Sequence, residues 1–242
     1  MKSVIQFILQ KVLGLKTYLF LFSWYKIKTL RKDKSENDFF HFIKQISPKD
    51  DVLDVGANIG IMSYYMARKT KGKVFAFEPI PSNIYTLKRI KAHFRLFNIK
   101  VMETALGNET GEISMVMPVV SFVKKQGLSH VLTEEITTFN EGYKFTAPIT
   151  RLDDVEELKK HKISAMKMDV ENFEYQVFLG AKKLIANDRP VVYCELWDNE
   201  NRQKCFAFMH KMNYLIKIKV DNGLVHFDDK KHSSQNFFFI PE

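Results

Sequence analysis

The sequence predicts an α/β fold in which a doubly wound, mostly parallel sheet ends in an antiparallel closing edge and is preceded by a helical extension. Three observations predict it. From Val52 onward short apolar runs alternate with stretches of helical period, which is the rhythm of βαβ units. A glycine-bearing turn, Asp54-Val55-Gly56-Ala57-Asn58-Ile59-Gly60, joins the first of these runs to a helix, where a wound sheet takes its ligands. The carboxyl-terminal runs meet at a tight Asp221-Asn222-Gly223 turn, which suits an antiparallel pair.

The 242 residues carry 37 basic and 28 acidic side chains and are 45% hydrophobic. That balance supports a packed core and excludes disordered, collagenous and coiled-coil chains. Two cysteines, Cys194 and Cys205, are too few for a disulfide framework and lack metal-ligand spacing, which points to a reducing, cytoplasmic compartment. Charge is unevenly placed. Residues 1–34 hold eight Lys or Arg against the single acid Asp33, so +7 of the net +9 lies in this arm.

Within the arm, Val4, Ile5, Ile8, Leu9, Val12 and Leu13 recur at helical spacing, with Lys2, Gln6, Gln10 and Lys11 on the other face. The apolar stretch Tyr18 to Tyr25 is bracketed by Lys16 and Lys26, far short of the roughly 20 residues of a spanning helix. Gln10 and Lys11 interrupt what a secretory signal would need. Lys26, Lys28, Arg31, Lys32 and Lys34 follow Phe20, Phe22, Trp24 and Tyr25, an aromatic and basic composition that an anionic membrane surface attracts. Two readings stand: peripheral attachment at the inner membrane face, or a helix that packs on the body as an extra layer. No continuous basic stripe tracks a phosphate backbone, so nucleic acid is not an expected partner. The helical extension is drawn at residues 1–46 and the body at 47–242.

Ser35 and Asp38 mark a helix start, and Phe39, Phe40, Ile43 and Ile46 give that helix one apolar face. The body then reads as a strand at Val52–Val55 with a helix to about Lys69, and a strand at Val74–Phe77 with a helix from Ser82 to Phe94. Further strands are expected at Lys100–Glu103, Ile113–Met117, Ala165–Asp169 and Val191–Leu196, with helices at Phe173–Ala186 and Glu200–Met212. Tyr214–Val220, Leu224–Phe227 and Phe237–Ile240 form the closing edge. Val119–Ala147 has no clear period and reads as a lid or binding loop.

The glycine turn carries Asn58 and Ile61 where a dinucleotide fingerprint has glycines, and no phosphate-loop lysine follows. A nucleoside ligand without phosphates suits it better, S-adenosylmethionine (SAM) foremost. Glu78 ends the second strand, where a carboxylate can accept from both ribose hydroxyls, with Pro79 beside it. Asp54, buried in the first strand, must find donors in the turn amides or in the cofactor's ammonium.

Six segments, DVGANIG at Asp54–Gly60, FAFEPIPSN at Phe75–Asn83, ETALGNETG at Glu103–Gly111, TRLDDV at Thr150–Val155, KMDVENFEYQVFLGA at Lys167–Ala181 and VVYCEL at Val191–Leu196, together resemble the FkbM family of class I SAM-dependent methyltransferases. The resemblance spans most of residues 50–196. It implies a Rossmann-like sheet that binds SAM, with Gly56, Ala57 and Asn58 near the methionine part and Gly60 closing the turn. It also implies Glu78 on the ribose, and Glu103, Thr104 and Ala105 near the adenine. A hydroxyl of a saccharide, glycoconjugate or secondary metabolite is the implied acceptor. The family typically has Gly after the acid of the Asp-Val-Glu segment, where this chain has Asn172.

Lys167, Asp169 and Glu171 alternate along one strand, so a period of two sets them on one side and Met166, Met168 and Val170 on the other. Asp169 or Glu171 is the candidate base for a hydroxyl acceptor, with Asp169 also against the cofactor and Glu195 orienting. Lys167 belongs to the same constellation, or pairs with Glu171 or Glu195 and holds the floor of the site. His130 is an alternative base or a solvated loop residue. Asp198-Asn199 either supplies oxygen ligands to magnesium or caps the next helix. Base N-methylation is disfavoured because Asp169-Val170-Glu171-Asn172 lacks a Pro-Pro-aromatic segment. A nucleotide-dependent oxidoreductase and a non-catalytic SAM-binding protein are the alternative functions.

Overall fold

The computed structural model describes residues 2–120, 123–124, 129–132, 140–221 and 223–242. The chain starts with helices α1 (Lys2–Leu13) and α2 (Leu15–Thr29), which part at Gly14, and continues to α3 (Asn37–Gln45). Ser35 does not open α3. Its amide and hydroxyl both bond the Asp33 carboxylate, and the helix begins two residues later. Then come β1 (Asp51–Val55), α4 (Ile61–Lys69), β2 (Val74–Phe77), α5 (Pro81–His93) and β3 (Ile99–Met102).

A second group follows: β4 (Ala105–Leu106), β5 (Gly111–Val120), β6 (Val123–Lys124), β7 (His130–Val131) and β8 (Gly142–Thr150). The winding resumes with β9 (Ile163–Met168), α6 (Glu174–Gly180), α7 (Lys182–Asp188), β10 (Val191–Glu195) and α8 (Glu200–Lys211). It closes with β11 (Tyr214–Val220), β12 (Gly223–His226) and β13 (Asn236–Pro241). Asn222 of the expected β11–β12 turn lies outside the described residues.

The main sheet has eight strands in the order β12-β11-β13-β10-β9-β1-β2-β3. The run from β10 to β3 is parallel, and β13 and β12 join antiparallel. This is the Rossmann-like fold expected. The chain moves outward from β1 through β2 to β3 and then returns to β9 on the other side of β1, so the topological switch lies between β1 and β9. β1, β2 and β9 are nearly fully buried, as parallel strands covered on both faces require.

Ile113–Met117 is a strand as expected, within β5, which pairs antiparallel with β8 in a separate five-stranded sheet. Two expectations are corrected. Within the stretch read as aperiodic, β8 alternates, turning Phe145, Ala147 and Ile149 inward; the lid reading otherwise falls largely on residues 121–122, 125–128 and 133–139, outside the described residues. The single helix expected over Phe173–Ala186 is two, broken at Ala181, where a Cβ on Gly180 would lie 1.9 Å from the Gly107 carbonyl oxygen.

The arm divides in its behaviour. α2 packs against α5 and α4, burying Tyr18, Leu19 and Ile27. The buried Ser23 hydroxyl donates to the Ile59 carbonyl at 3.0 Å, and the Tyr65 hydroxyl donates to that of Ile27. α3 sets Phe39 and Phe42 against Tyr193. Both helices therefore form a layer of the body, whereas α1 leaves Ile5, Ile8, Leu9, Val12 and Leu13 exposed.

Candidate active site

A cleft opens at the carboxyl ends of β1, β2 and β9, the place the switch point dictates. At its base, β1 ends in a turn whose amides point into the protein. Gly56 N and Ala57 N both donate to the Phe77 carbonyl, at 3.1 and 2.9 Å. Gly56 has φ +76°, and a Cβ there would lie 1.8 Å from the Asp169 carbonyl oxygen. The glycine thus admits the neighbouring strand, not a ligand, although its backbone borders the cleft. Gly60 has φ +80° and precedes α4, with Leu87 of α5 occupying the space of a side chain. Gly60 and the buried Ala57 act through the turn and do not line the cleft.

Asp54 is fully buried beneath the cleft. The donors expected from the turn amides are replaced by Ser63, whose hydroxyl donates to Oδ2 at 2.5 Å, and by Lys167, whose Nζ lies 3.7 Å from Oδ1. Burial pushes the Asp54 pKa up and the Lys167 charge opposes it. Lys167 Nζ also donates to the Gly56 carbonyl at 3.0 Å and lies 3.5 Å from Asp169 Oδ2. Its partners are Asp54 and Asp169, not Glu171 or Glu195. Burial disfavours its charge, but the surrounding carboxylates outweigh burial and raise its pKa.

Glu78 borders the cleft and is nearly fully buried. Oε2 accepts from Asn58 N at 2.8 Å, and Oε1 accepts from Ile80 N at 2.9 Å and Asn83 Nδ2 at 3.2 Å. Desolvation raises its pKa to about 7 against the pull of these three bonds. Because Asn83 Nδ2 must donate to the carboxylate, its amide orientation is fixed and Oδ1 is turned away. Asn83 Oδ1, Asn58 Oδ1 and Ser129 Oγ border the cleft as buried polar atoms without a hydrogen-bond partner. Pro79, Thr104, Ala105 and Leu106 complete this side. Glu103 does not: its half-exposed carboxylate pairs with Lys88 at 2.5 Å.

On the facing side the ladder runs one residue past β9, with Asp169 N donating to the Val55 carbonyl at 3.1 Å. The chain then turns, and Glu171 and Asn172 have φ +55° and +72°. Asn172 therefore adopts the left-handed shape for which glycine is the usual choice, and its Oδ1 accepts from Asn199 Nδ2 at 2.7 Å. The turn is closed by Glu174, whose Oε1 accepts from Val170 N and Asn172 N. Strand alternation has ended here, so Asp169, Val170 and Glu171 all line the cleft, and the expected exclusion of Val170 fails.

Glu171 is raised to about 9 by burial and by Asp169, Glu195 and Glu174 around it. Burial and Asp169 lift Glu195, at the end of β10, to about 7, but Glu195 does not line the cleft. His130 is neither solvated nor on the cleft: it is buried in β7 with Nε2 2.9 Å from Asn140 Oδ1, while its neighbours Ser129 and Val131 reach the cleft. Asp198 pairs with Arg202 at 2.8 Å and Asn199 caps α8, the helix-cap alternative. Sequence reasoning missed Asn83, Ser129 and Glu174. Asn83 carried a signal, since Glu78 to Asn83 places it in the first turn of the helix after the carboxylate.

A family model described as the methyltransferase FkbM domain matches residues 54–221. Methyltransferase sdnD of Sordaria araneosa is 26% identical over 195 residues, covering 66% of this chain and 71% of that protein. Methyltransferase 1 of Beauveria bassiana (strain ARSEF 2860) is 26% identical over 175 residues, covering 61% and 68%. Among solved structures, the methyltransferase FkbM from Methylobacillus flagellatus KT aligns with a TM-score of 0.55 at 16% identity. The alignment covers 80% of this chain but only 44% of that one, a likeness of fold.

Proposed function

From the premise that the chain belongs to the FkbM methyltransferase family, we propose that it methylates a hydroxyl of a saccharide, glycoconjugate or secondary metabolite. The methyl donor is SAM, and family membership sets the oxidoreductase alternative aside. The residues present fit this cofactor. Asn58 Oδ1, Asn83 Oδ1 and Ser129 Oγ are buried at the cleft with no partner in the protein, and such atoms are costly unless a ligand satisfies them. The ammonium, ribose hydroxyls and adenine amine of SAM are donors of the complementary kind. A carboxylate has about four lone-pair sites, and three bonds already engage Glu78. It therefore takes one ribose hydroxyl, and an asparagine carbonyl takes the other.

SAM supplies an activated methyl group on a positively charged sulfur. The chain's part is to align the acceptor and remove its proton. The observation that carries the assignment is that two carboxyls, Asp169 and Glu171, line the cleft side by side at the end of β9, with a lysine beneath. Glu171, whose pKa is raised by burial and by the carboxylates around it, donates a hydrogen bond that orients the acceptor oxygen. Asp169, 3.5 Å from the Lys167 ammonium, is the carboxylate that accepts the proton. Lys167 is a positioning residue beneath both. The arm at a membrane surface of the cytoplasm belongs to the same reading, and would bring lipid-linked glycans within the acceptor class.

Methyl transfer from labelled SAM to a panel of hydroxyl-bearing saccharides and glycolipids tests the proposal. Asp169→Asn should lower turnover by about 10² or more while S-adenosylhomocysteine still binds. Glu171→Gln should cost less, because the amide still donates. Binding without transfer to any acceptor would favour the non-catalytic alternative.

A further inference from the structure

The orientation of α1 is the reverse of what a helix packed on its own protein adopts. Its apolar row, Ile5, Ile8, Leu9, Val12 and Leu13, faces outward, with Val12 76% and Ile5 53% exposed. Gln6 and Gln10, on the opposite face, are half-buried, and Gln6 hydrogen-bonds Tyr18 of α2. An amphipathic helix normally buries its apolar stripe; here the two glutamines are turned inward and half-buried while the aliphatic row is left in water.

The aromatic and basic cluster that follows is largely spent on internal contacts. Arg89 stacks over Phe20 at 4.1 Å, and Arg31 lies over Phe40 and Tyr65. Lys26 pairs with Asp33 at 3.1 Å, and Lys28 lies over Trp24 and Phe94. The outward row of α1 is thus the element of the arm left for a partner, joined by Leu21, Trp24 and Tyr25 on the open side of α2.

We propose that α1 is an interfacial anchor that lays this apolar row into the acyl boundary of an anionic lipid leaflet. Charge complementarity selects the occupant. The row belongs to an arm of net charge +7, and basic residues near an anionic leaflet add attraction to that of a buried apolar face. A second copy using the same face would bring two such arms together against their repulsion. Nucleic acid would find aliphatic side chains where it needs cations. No helix among the described residues is long and apolar enough to cross a membrane, so the contact is one of lying on the surface. The inference sharpens the membrane part of the proposed function and is independent of the chemistry at the cleft.

Flotation of the full chain with phosphatidylcholine vesicles, with and without about one-third phosphatidylserine, tests it. The protein should float with the anionic vesicles and much less with the neutral ones. Ile8→Glu with Val12→Glu should weaken partitioning about a hundredfold, roughly tenfold for each aliphatic side chain kept in water. Ile8→Ser with Val12→Ser should lose a comparable amount without adding negative charge. Phe97→Glu, at an exposed apolar residue outside the arm, should leave partitioning unchanged. S-adenosylhomocysteine titration of every variant reports the cleft separately and confirms folding. Equal flotation of wild type and both double variants, absence of flotation, equal flotation with neutral vesicles, or a double variant that turns a dimer into a monomer would each overturn the proposal.

Discussion

Titration of S-adenosylhomocysteine into the protein should give an affinity that rises as pH is raised through about 7. Glu78 borders the cleft with its pKa lifted to about 7 by burial, and a ribose hydroxyl donates to its ionised form. One unit below the midpoint only about one carboxyl in eleven is ionised, so the affinity there should be about tenfold below its plateau. Binding near the midpoint should release about half a proton, read by calorimetry in two buffers of different ionisation enthalpy. Glu78→Gln removes the titration and the charge. The amide nitrogen cannot accept from Asn58 N or Ile80 N, so one buried donor loses its acceptor at a cost of about 1–3 kcal/mol in stability. The lost charged hydrogen bond, about 1.5–3 kcal/mol, should weaken binding roughly tenfold to a hundredfold and flatten its pH dependence. A wild-type affinity that does not change between about pH 6 and 8, or a variant with the wild-type slope, would refute the placement of the sugar at Glu78.

Three further outcomes follow from the same contacts. Glu78 and Glu174 are both raised from 4.5 to about 7, so the folded state holds more protons than the unfolded one between those values. Their contribution to stability is complete below about 4.5 and is lost as pH rises through 7, about 3 kcal/mol for Glu78 alone; urea unfolding across this range should show the ligand-free protein weakening. Lys167→Met leaves buried Asp54 with Ser63 as its hydrogen-bond donor and should cost about 3–5 kcal/mol. Adding Asp54→Asn should restore part of that, and no restoration in the double variant would argue against the pairing. Gly56→Ala must adopt φ +76° and displace the Asp169 carbonyl, so it should lose at least about 2 kcal/mol in the same assay.

Much of the fold was legible because its signals are local. β1, β2, β9 and β10 are short apolar runs separated by helical periods, and the Gly56 and Gly60 positions both require the positive φ that glycine supplies. What escaped was set by tertiary context. β8 reads Gly142-Tyr-Lys-Phe-Thr-Ala-Pro-Ile-Thr: the inward alternation is present, but the small Ala147 and the interrupting Pro148 mute it. The break after Gly180 falls where the helix backbone meets the Gly107 carbonyl, 73 residues earlier in the chain, a contact beyond the reach of any helical window. Within the site, Gly56, Asn58 and Glu78 border one cleft, whereas Asp54, Ala57 and Gly60 do not line it. Glu103 and His130 do not line it either, because the first is drawn outward by Lys88 and the second inward by β7. Period-two reasoning failed at Val170 because the strand had already ended.

The protonation pattern at the end of β9 yields a last prediction. Lys167 lies within 4 Å of Asp54 and Asp169 and its charge also acts on Glu171 and Glu195, while Glu174 is held by hydrogen bonds from Val170 N, Asn172 N and Asn201 Nδ2. Burial first, and then the Asp169 charge, raise all three, to about 9, 7 and 7: charging any one of them adds an anion beside Asp169 in a poorly solvated place. A cation arriving in the cleft relieves that repulsion. SAM carries a positive sulfur and S-adenosylhomocysteine does not, so the preference for SAM should grow as rising pH deprotonates these carboxyls. A single charge interaction of at least about 1 kcal/mol corresponds to roughly a fivefold change in the affinity ratio. Glu171→Gln should remove much of that growth, since Glu171 lines the cleft. Parallel titrations with the two nucleosides between about pH 6 and 9 would measure the ratio. A ratio that stays constant would mean that the acid cluster does not face the sulfur, and Asp169 would then lose its assignment as the base.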